Sequence, residues 1–215
     1  TLSAWRLLQR FDASKPQVHV FNPDFEKHGW QSTHAAVEIL HGDIPFLVDS
    51  VRMELSRRGY SIHTLQNSVF RVRRDAKGEL LELHPRGSSE PGLQDEALMF
   101  LEIDRCASAA AQHNLEKALQ EVLGDVRLAV ADFEAIKARA NGLLDSMHKA
   151  KAKSMARDVA DQDEIKGFLA WLLDNHFTFL GYEEFSVVDE GEGGRVIYVE
   201  DSLLGLSKNM RSGLT

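Results

Sequence analysis

The sequence is short of the features that mark disulfide-rich, membrane-spanning and nucleic-acid-binding chains. It has one cysteine, Cys106, so no internal disulfide can form, and we expect Cys106 to be a small buried residue. No stretch approaches the roughly 18 apolar residues of a membrane helix, and the start has neither a methionine nor a signal-peptide pattern. The formal net charge of -8 disfavours a nucleic-acid surface, because phosphate contacts need concentrated basic charge. We therefore expect a globular, cytoplasmic fragment of a longer protein, with no nucleic acid and no membrane as partner.

Motifs for catalysis, cofactors and metals are lacking as well. The sequence contains no Walker loop, no HExxH, no paired cysteines and no nucleophile elbow. Gly191–Gly194 is glycine-rich but lies between two predicted strands and opens no helix, so we interpret it as a hairpin turn. His34 could meet His41 or His63 on neighbouring strands, although no carboxylate stands at ligand spacing. We expect no catalytic, cofactor-binding or metal-binding residues in this fragment.

The stretch from Val37 to Arg74 has the clearest pattern in the sequence. Apolar residues from Ala36 to Leu40 predict a strand, and Gly42 with Pro45 predicts a turn at which a helix begins. The helix has one apolar stripe at helical spacing, formed by Leu47, Val48, Val51 and Leu55. Gly59 has the position of a left-handed helix cap, and residues typical of strands follow it. The stretch predicts a strand–helix–strand unit with Leu47 and Val51 packed against the sheet.

The elements that follow extend this unit to a βαββαβ order. They are a hairpin with its turn at 75–78, an exposed loop of weak order at 85–92, a strand at 98–103, a helix at 107–123 and a strand at 126–130. An antiparallel sheet with two helices on one face is the ferredoxin-like (ACT-like) sandwich of the α+β class. We assign 1–32 to an amino-terminal helix and edge strand, 33–132 to the ACT-like domain, 133–160 to a helical linker, and 161–215 to a following domain that starts with a helix at Asp161 and a β-hairpin.

Two carboxylates, Asp43 and Asp49, lie near the start of the helix after the first strand. Paired carboxylates can serve as acid and base, but a carboxylate at a helix amino end is also stabilised by about 0.3–1 kcal/mol through the helix dipole. We interpret both as capping and salt-bridging residues, with Arg52 or Arg57 as the partner of Asp49.

Several short runs of residues are distinctive in their order along the chain. They are Asn22-Pro23, His28-Gly29-Trp30, Asp43 to Arg52, Arg73-Arg74-Asp75 with Gly78, Asp125-Val126-Arg127, and Asn175 to Tyr182. Together these runs resemble the amino-terminal ACT-like regulatory region of the large-type bacterial NAD-dependent glutamate dehydrogenases. One departure is the run Gln66-Asn67-Ser68-Val69, where the family pattern has a histidine–proline pair before the valine.

The resemblance implies that the parent enzyme oxidatively deaminates L-glutamate to 2-oxoglutarate and ammonia with NAD. The catalytic lysine and the NAD site would lie elsewhere in the parent, so this fragment would be non-catalytic and would hold no cofactor. Its partners would be other domains of the parent chain and further copies of itself in a homo-oligomer, joined through sheet edges or through the terminal helix and hairpin.

Two functions stay open at this point. The fragment is either a regulatory and assembly region or an amino-acid-sensing ACT-type domain. In the second case an amino-acid effector would bind at the turn after the first strand, where helix-terminal amides can meet a carboxylate. That turn consists of Gly42, Asp43, Ile44 and Phe46, around Pro45. The first function is favoured, because Pro45 lacks an N–H donor, Phe46 is bulky and Asp43 would repel a carboxylate.

Overall fold

The computed structural model describes residues 2–149, 156–188, 195–199 and 201–212. The chain divides into two compact units, Thr1–Val126 and Arg127–Thr215. In the described part of the chain, no helix is both long enough and apolar enough to cross a membrane.

The first unit is built on a five-stranded antiparallel sheet. In sheet order its strands are β1 (Gln17–Phe21), β2 (Ala35–Gly42), β5 (Gln94–Ile103), β3 (Ile62–Arg74) and β4 (Leu80–His84). Val37 on β2 lies opposite Val20 on β1 and opposite Leu101 on β5, which fixes the register across the sheet. The predicted hairpin between β3 and β4 is confirmed, and the Asp75 carboxylate accepts the N–H groups of Lys77 and Glu79 in its turn.

Four helices begin in this unit. They are α1 (Leu2–Gln9), α2 (Phe25–His28), α3 (Leu47–Arg57) and α4 (Ala109–Lys149). Leu47, Val51 and Leu55 are buried in one core cluster with Leu115 and Leu119 of α4, as the apolar stripe predicts. Gly59 adopts the left-handed conformation expected of a helix cap, with φ of 81°. Cys106 is buried in the same cluster, as expected.

The predicted strand at 126–130 and the predicted helix end at Gly124 are wrong, because α4 continues from Ala109 to Lys149. Gly124 has no positive φ, so it does not act as a left-handed cap. The cost of a glycine inside a helix, about 1 kcal/mol relative to alanine, is tolerated in this long helix.

In the ferredoxin-like order the last strand lies at the edge beside the first. Here that edge, beside β2, is formed by β1.

The second face of the sheet is covered in part by the amino-terminal segment. Leu8 of α1 and Phe11 pack on Leu40 of β2, whereas Leu2 and Trp5 of the same helix are exposed. The Phe11 N–H donates to the Gly78 carbonyl at 3.0 Å, and the Arg74 guanidinium lies 5.6 Å from the centre of the Phe11 ring.

Arg74 also forms two hydrogen bonds of 2.7 Å with the Glu96 carboxylate and donates to the Gly78 carbonyl at 2.9 Å. We call Phe11, Arg74, Gly78 and Glu96 the amino-terminal clasp. It fastens the segment after α1 to the turn between β3 and β4.

Both edges of the sheet are partly occupied by groups of the same unit. At the β1 edge the Val20 N–H donates to the Glu116 carboxylate of α4 at 2.8 Å. At the β4 edge Arg10 forms an antiparallel bridge with Glu79, just before the strand begins. An edge strand whose main-chain groups are engaged is a poorer template for pairing with another chain.

The loop between β4 and β5 is exposed, as predicted, but two arginines of β3 hold it. Arg71 donates to the Ser88 carbonyl. Arg73 donates to the Pro91 carbonyl at 2.9 Å and lies 3.4 Å from the Glu90 carboxylate. The prediction of weak order rested on the prolines and glycines alone, and the sequence pattern did not indicate these arginine contacts.

The second unit contains short elements around the carboxyl-terminal part of α4. They are α5 (Ala156–Trp171), a π-helical turn (Leu172–His176), β6 (Gly181–Tyr182), β7 (Phe185–Val188), β8 (Arg195–Tyr198), β9 (Leu204–Gly205) and α6 (Ser207–Ser212). β6 pairs with β9, and β7 pairs with β8. The helix predicted to start at Asp161 begins at Ala156, and the strand predicted from Phe177 is divided into β6 and β7. The predicted hairpin is present as β7 and β8, while its turn at Gly191–Gly194 lies outside the described residues.

One carboxylate of α4 anchors the end of the second unit. Asp132 accepts the Gly205 N–H at 2.6 Å and lies 2.5 Å from the Lys208 ammonium. Burial raises the pKa of Asp132, but the hydrogen bonds from Lys208 and Gly205 outweigh it, so the pKa lies below its ordinary value.

Candidate functional site

The turn predicted to bind an effector lies between the end of β2 and the start of α3. The Asp43 N–H donates to the Asp95 carbonyl at 2.9 Å, which fixes the turn to β5. Ile44 packs against the core, whereas Phe46 is exposed. α3 begins at the next residue, so the structure places the four predicted residues in one turn at a helix amino end: Gly42, Asp43, Ile44 and Phe46.

Within the described residues, no side chain caps the amino end of α3. Its N-cap residue is Phe46, where serine, threonine, aspartate or asparagine is preferred. Phe46 has φ of 70°, a left-handed conformation that costs an L-residue roughly 1–2 kcal/mol. The amide N–H groups of a first helical turn can bind an anion, and the exposed Asp43 carboxylate can bind an ammonium group. The turn therefore offers groups of both signs, which matches the two charges of a free amino acid.

Asp95 connects this turn to the loop between β4 and β5. Its carbonyl accepts the Asp43 N–H, and its carboxylate lies 3.0 Å from Arg71 Nε. Arg71 in turn donates to Ser88 in the loop. Asp43 is thus linked to the loop by consecutive contacts through Asp95 and Arg71.

The predicted ion pair of Asp49 with Arg52 or Arg57 is not formed in the described structure. Arg57 instead forms two hydrogen bonds of 2.7 Å with Glu54, and Arg58 donates to the same carboxylate at 2.5 Å. The hydrogen bonds from Arg57 hold the pKa of the buried Glu54 below its ordinary value against the effect of burial. The spacing along the helix could have predicted these ion pairs, because Arg57 and Arg58 stand three and four residues after Glu54.

Two of the three histidines considered as metal ligands meet in the structure. His34 and His63 stack with ring centroids 4.0 Å apart, and His63 Nε2 lies 2.9 Å from Asp104. A hydrogen bond from the Ser61 N–H, followed by that from His63, lowers the pKa of Asp104 to about 2. His41 lies apart, buried, with Nδ1 2.8 Å from the Gly42 carbonyl. Asp104 could not be predicted as the partner of His63, because Asp104 approaches it from the end of another strand, β5.

One group of three ligand atoms lies close enough for a metal ion in the described part of the chain: Glu82, His84 and Glu90. Arg73 already lies 2.9 Å from Glu82 and 3.4 Å from Glu90. The two nitrogens of His84 face different carboxylates, Nε2 toward Glu82 and Nδ1 toward Glu90. These contacts form an ion-pair network that fastens the loop to β4, and a metal ion would have to displace Arg73.

An antiparallel sheet with α3 and α4 packed on one face is consistent with an ACT-like α+β domain. Comparison with known families gives the same result. Residues 1–119 match the family model described as glutamate dehydrogenase, ACT1 domain, and the chain belongs to this family.

Relatives named NAD-specific glutamate dehydrogenase align with all or most of this chain. The protein from Pseudomonas aeruginosa is 63% identical over 215 residues, which are 100% of this chain and 13% of the relative. The protein from Halomonas elongata is 42% identical over 206 residues, 96% of this chain and 13% of the relative. The protein from Mycobacterium tuberculosis is 31% identical over 157 residues, 71% of this chain and 9% of the relative. The chain thus spans a small part of the length of these relatives.

Proposed function

We propose that this chain is a non-catalytic regulatory and assembly region of a large NAD-dependent glutamate dehydrogenase. The parent reaction would convert L-glutamate, NAD and water to 2-oxoglutarate, ammonia and NADH, with NAD bound elsewhere in the parent. The observation that carries this proposal is the 63% identity over the full chain to a relative of which the chain spans only 13%. The ACT1 match over 1–119 supports the regulatory part.

The structure suggests how such a region could respond to its surroundings. The turn before α3, Asp95, Arg71 and the loop at Ser88 are joined by consecutive contacts. Coupling between sites requires physically connected groups whose arrangement can change. The other domains of the parent chain and further copies in a homo-oligomer are the proposed partners of this unit.

The test compares the full-length parent enzyme with a variant that lacks residues 1–215. We expect the truncated enzyme to have an altered oligomeric state in sedimentation or an altered dependence of NADH formation on added amino acids. We also expect purified 1–215 to form no NADH from glutamate and NAD. Unchanged assembly together with unchanged effector response would contradict the proposal, and so would NADH formation by the fragment.

An amino-acid-sensing function is the second candidate, and the turn before α3 favours it. The helix amino end lacks a side-chain cap, so its amides could take the effector carboxylate while Asp43 takes the ammonium group. We expect arginine, aspartate or glutamate to raise the melting temperature of 1–215 if this function is correct, because a ligand that binds only the folded state stabilises it.

Asp43→Asn should abolish that shift, and Glu26→Gln, at an exposed acidic position of α2, should leave it unchanged. Equal shifts in the Asp43→Asn and parent chains would exclude this turn as the binding site. If none of the three amino acids raises the melting temperature, the regulatory and assembly function remains as the single candidate.

A further inference from the structure

Three strand ends meet at one end of the sheet in the first unit. β5 lies between β2 and β3, and its end lies beside the beginnings of both neighbours. His34 directly precedes β2, His63 is the second residue of β3, and Asp104 directly follows β5. Imidazole nitrogens and carboxylate oxygens are groups that bind metal ions. The proposed function assigns no role to these three side chains.

A β-bulge places His63 beside the other two side chains. The residues on either side of His63 pair with Ile103 and Glu102, which are consecutive in β5, so His63 is an extra residue in β3. Bulges of this kind change the direction of a side chain and are common beside functional sites. In the structure the His63 ring stacks on the His34 ring, with centroids 4.0 Å apart and an angle of 26° between the ring planes.

Asp104 fixes the position of the proton on the His63 ring. The distance from His63 Nε2 to the Asp104 carboxylate is 2.9 Å. An aspartate carboxylate is ionised near neutral pH and can only accept hydrogen bonds. Nε2 therefore donates, and the lone pair of the neutral ring lies on Nδ1. Metal-binding histidines have this arrangement, in which the second nitrogen donates to a carboxylate. The carboxylate is itself held, because it accepts the Ser61 N–H at 2.8 Å.

The His34 ring has both nitrogens available for a ligand. Neither nitrogen forms a hydrogen bond with another residue in the described part of the chain. Glu102 adds a second carboxylate at this end of the sheet, where Thr64 Oγ1 donates to it at 3.2 Å. The side chains of His63 and Asp104 are 37% and 45% exposed, so an ion can reach them from water. Two carboxylates near the histidine pair attract a cation.

We propose that His34 and His63 bind a divalent transition-metal ion, and that Asp104 positions His63 for this role. Imidazole suits Zn²⁺, Cu²⁺ and Ni²⁺. His63 would bind through Nδ1. Because the lone pairs of stacked rings do not converge, one ring would rotate about its side-chain bonds when the ion binds. The ion would link β2 to β3 across the end of β5, and this site is independent of the proposed function.

Water would complete the coordination of the ion. In the described part of the chain, no third histidine, cysteine or carboxylate forms a group of three with this pair in which all ligand atoms lie within 4.8 Å of one another. A metal site with few protein ligands keeps open positions that water or a further ligand occupies.

Titration calorimetry of 1–215 with ZnCl₂ near neutral pH tests the proposal. We expect Zn²⁺ to bind and to raise the melting temperature, because an ion that binds only the folded state stabilises it. Cu²⁺ should bind more tightly than Zn²⁺, and Mg²⁺, which prefers oxygen ligands, should cause no rise. Absence of binding by both Zn²⁺ and Cu²⁺ would overturn the proposal.

Two histidine variants and a matched control locate the ion. His34→Gln and His63→Gln should each weaken Zn²⁺ binding by about tenfold or more, since each removes one of two protein ligands. His84→Gln is the control, because His84 also lies 3.0 Å from a carboxylate, Glu82, but Arg73 already pairs with that carboxylate. It should leave the Zn²⁺ affinity unchanged. Binding that is lost in His84→Gln and kept in His63→Gln would overturn the proposal.

Asp104→Asn tests the positioning role. An asparagine side chain can donate as well as accept, so it no longer fixes the proton on Nε2 of His63. We expect Zn²⁺ binding to weaken by about 10- to 100-fold, and the ¹⁵N signals of the His63 ring to change from the Nε2–H form toward a mixture of both forms. Unchanged affinity together with unchanged ring signals would refute the role of Asp104.

Line broadening by Cu²⁺ locates the site in the chain without any substitution, so it decides the question even if a variant fails to fold. Cu²⁺ is paramagnetic and removes the NMR signals of nearby groups when it is added in less than equimolar amount. We expect the amide signals of 33–35, 62–64 and 103–105 to disappear first. Loss centred on 82–84 and 90 instead would place the ion at the loop between β4 and β5 and overturn the proposal.

Discussion

The amino-terminal clasp makes a quantitative prediction about a buried ion pair. The side chains of Arg74 and Glu96 are 5% and 2% exposed, and two hydrogen bonds of 2.7 Å join them. Arg74→Met removes the cation and leaves the Glu96 carboxylate buried without it. Breaking a buried pair in this way destabilises a protein by about 3–5 kcal/mol. A domain of this size has a free energy of unfolding of about 5–15 kcal/mol, so the single variant should lose a large share of it.

The double variant, Arg74→Met with Glu96→Leu, distinguishes the cost of an unpaired buried charge from the effect of changing the side chains. Replacing both charges of a buried pair with apolar residues is often neutral or stabilising by about 1–4 kcal/mol. Here the replacement at position 74 would lie against the Phe11 ring, which already packs on Leu40. We therefore expect the double variant to be more stable than Arg74→Met by several kcal/mol.

Urea unfolding of 1–215 and of the variants, followed by circular dichroism, measures these differences. Arg10→Met is the matched control, because Arg10 lies 3.6 Å from Glu79 and both side chains are largely exposed. Exposed pairs contribute about 0–1 kcal/mol, so this variant should unfold close to the parent. A loss below about 1 kcal/mol in Arg74→Met, or equal losses in the single and double variants, would refute the reasoning from burial.

Three further predictions concern the first unit. Val51→Asp places an unpaired charge in the core cluster and should cost several kcal/mol, about 3 or more, or prevent folding; a folded variant with an unchanged melting temperature would contradict the assignment of α3. Gly78→Ala should destabilise the chain by more than about 1 kcal/mol, because a Cβ there would lie 2.2 Å from the Phe11 carbonyl oxygen at a φ of +81°. Gly42→Ala has open space and an ordinary φ, so it serves as the control in the same unfolding assay. Asp104→Asn should lower stability near neutral pH, and the difference from the parent should disappear as the pH falls. The pKa of Asp104 is depressed from 3.8 to about 2 in the folded chain, so its contribution is present above pH 4 and is lost between about pH 4 and pH 2. A difference that stays constant down to pH 2 would show that the carboxylate charge is not involved.

Local patterns predicted those parts of the fold that depend on neighbouring residues. The stripe of α3 and the cap at Gly59 follow from helical periodicity and from the freedom of glycine at positive φ, and both are confirmed. The position of the candidate turn also followed from Gly42 and Pro45. The left-handed conformation of Phe46 did not, because nothing in the local sequence favours positive φ at a phenylalanine.

Features that depend on distant residues could not be predicted in this way. The alternation at Val126, Leu128 and Val130 fits a strand, but a long helix continues through it. Which segment forms the edge beside β2 depends on tertiary pairing, and a propensity pattern does not contain that information. The pairing of Arg74 with Glu96 likewise joins two strands whose register the sequence alone does not fix.

The origin of the edge strand has a consequence for the order of folding. β1 and β2 are near neighbours along the chain, so pairing Val20 with Val37 closes a short loop. Pairing a strand at 126–130 with β2 would close a loop roughly five times longer, at an extra entropic cost of about 1.4 kcal/mol. Contacts between neighbouring segments also speed folding. During synthesis, β1 and β2 leave the ribosome together well before α4 is complete, so this edge of the sheet can close first. The carboxyl-terminal half of α4 then takes no part in closing the sheet, and its surface is available to pack against segments that are synthesised later.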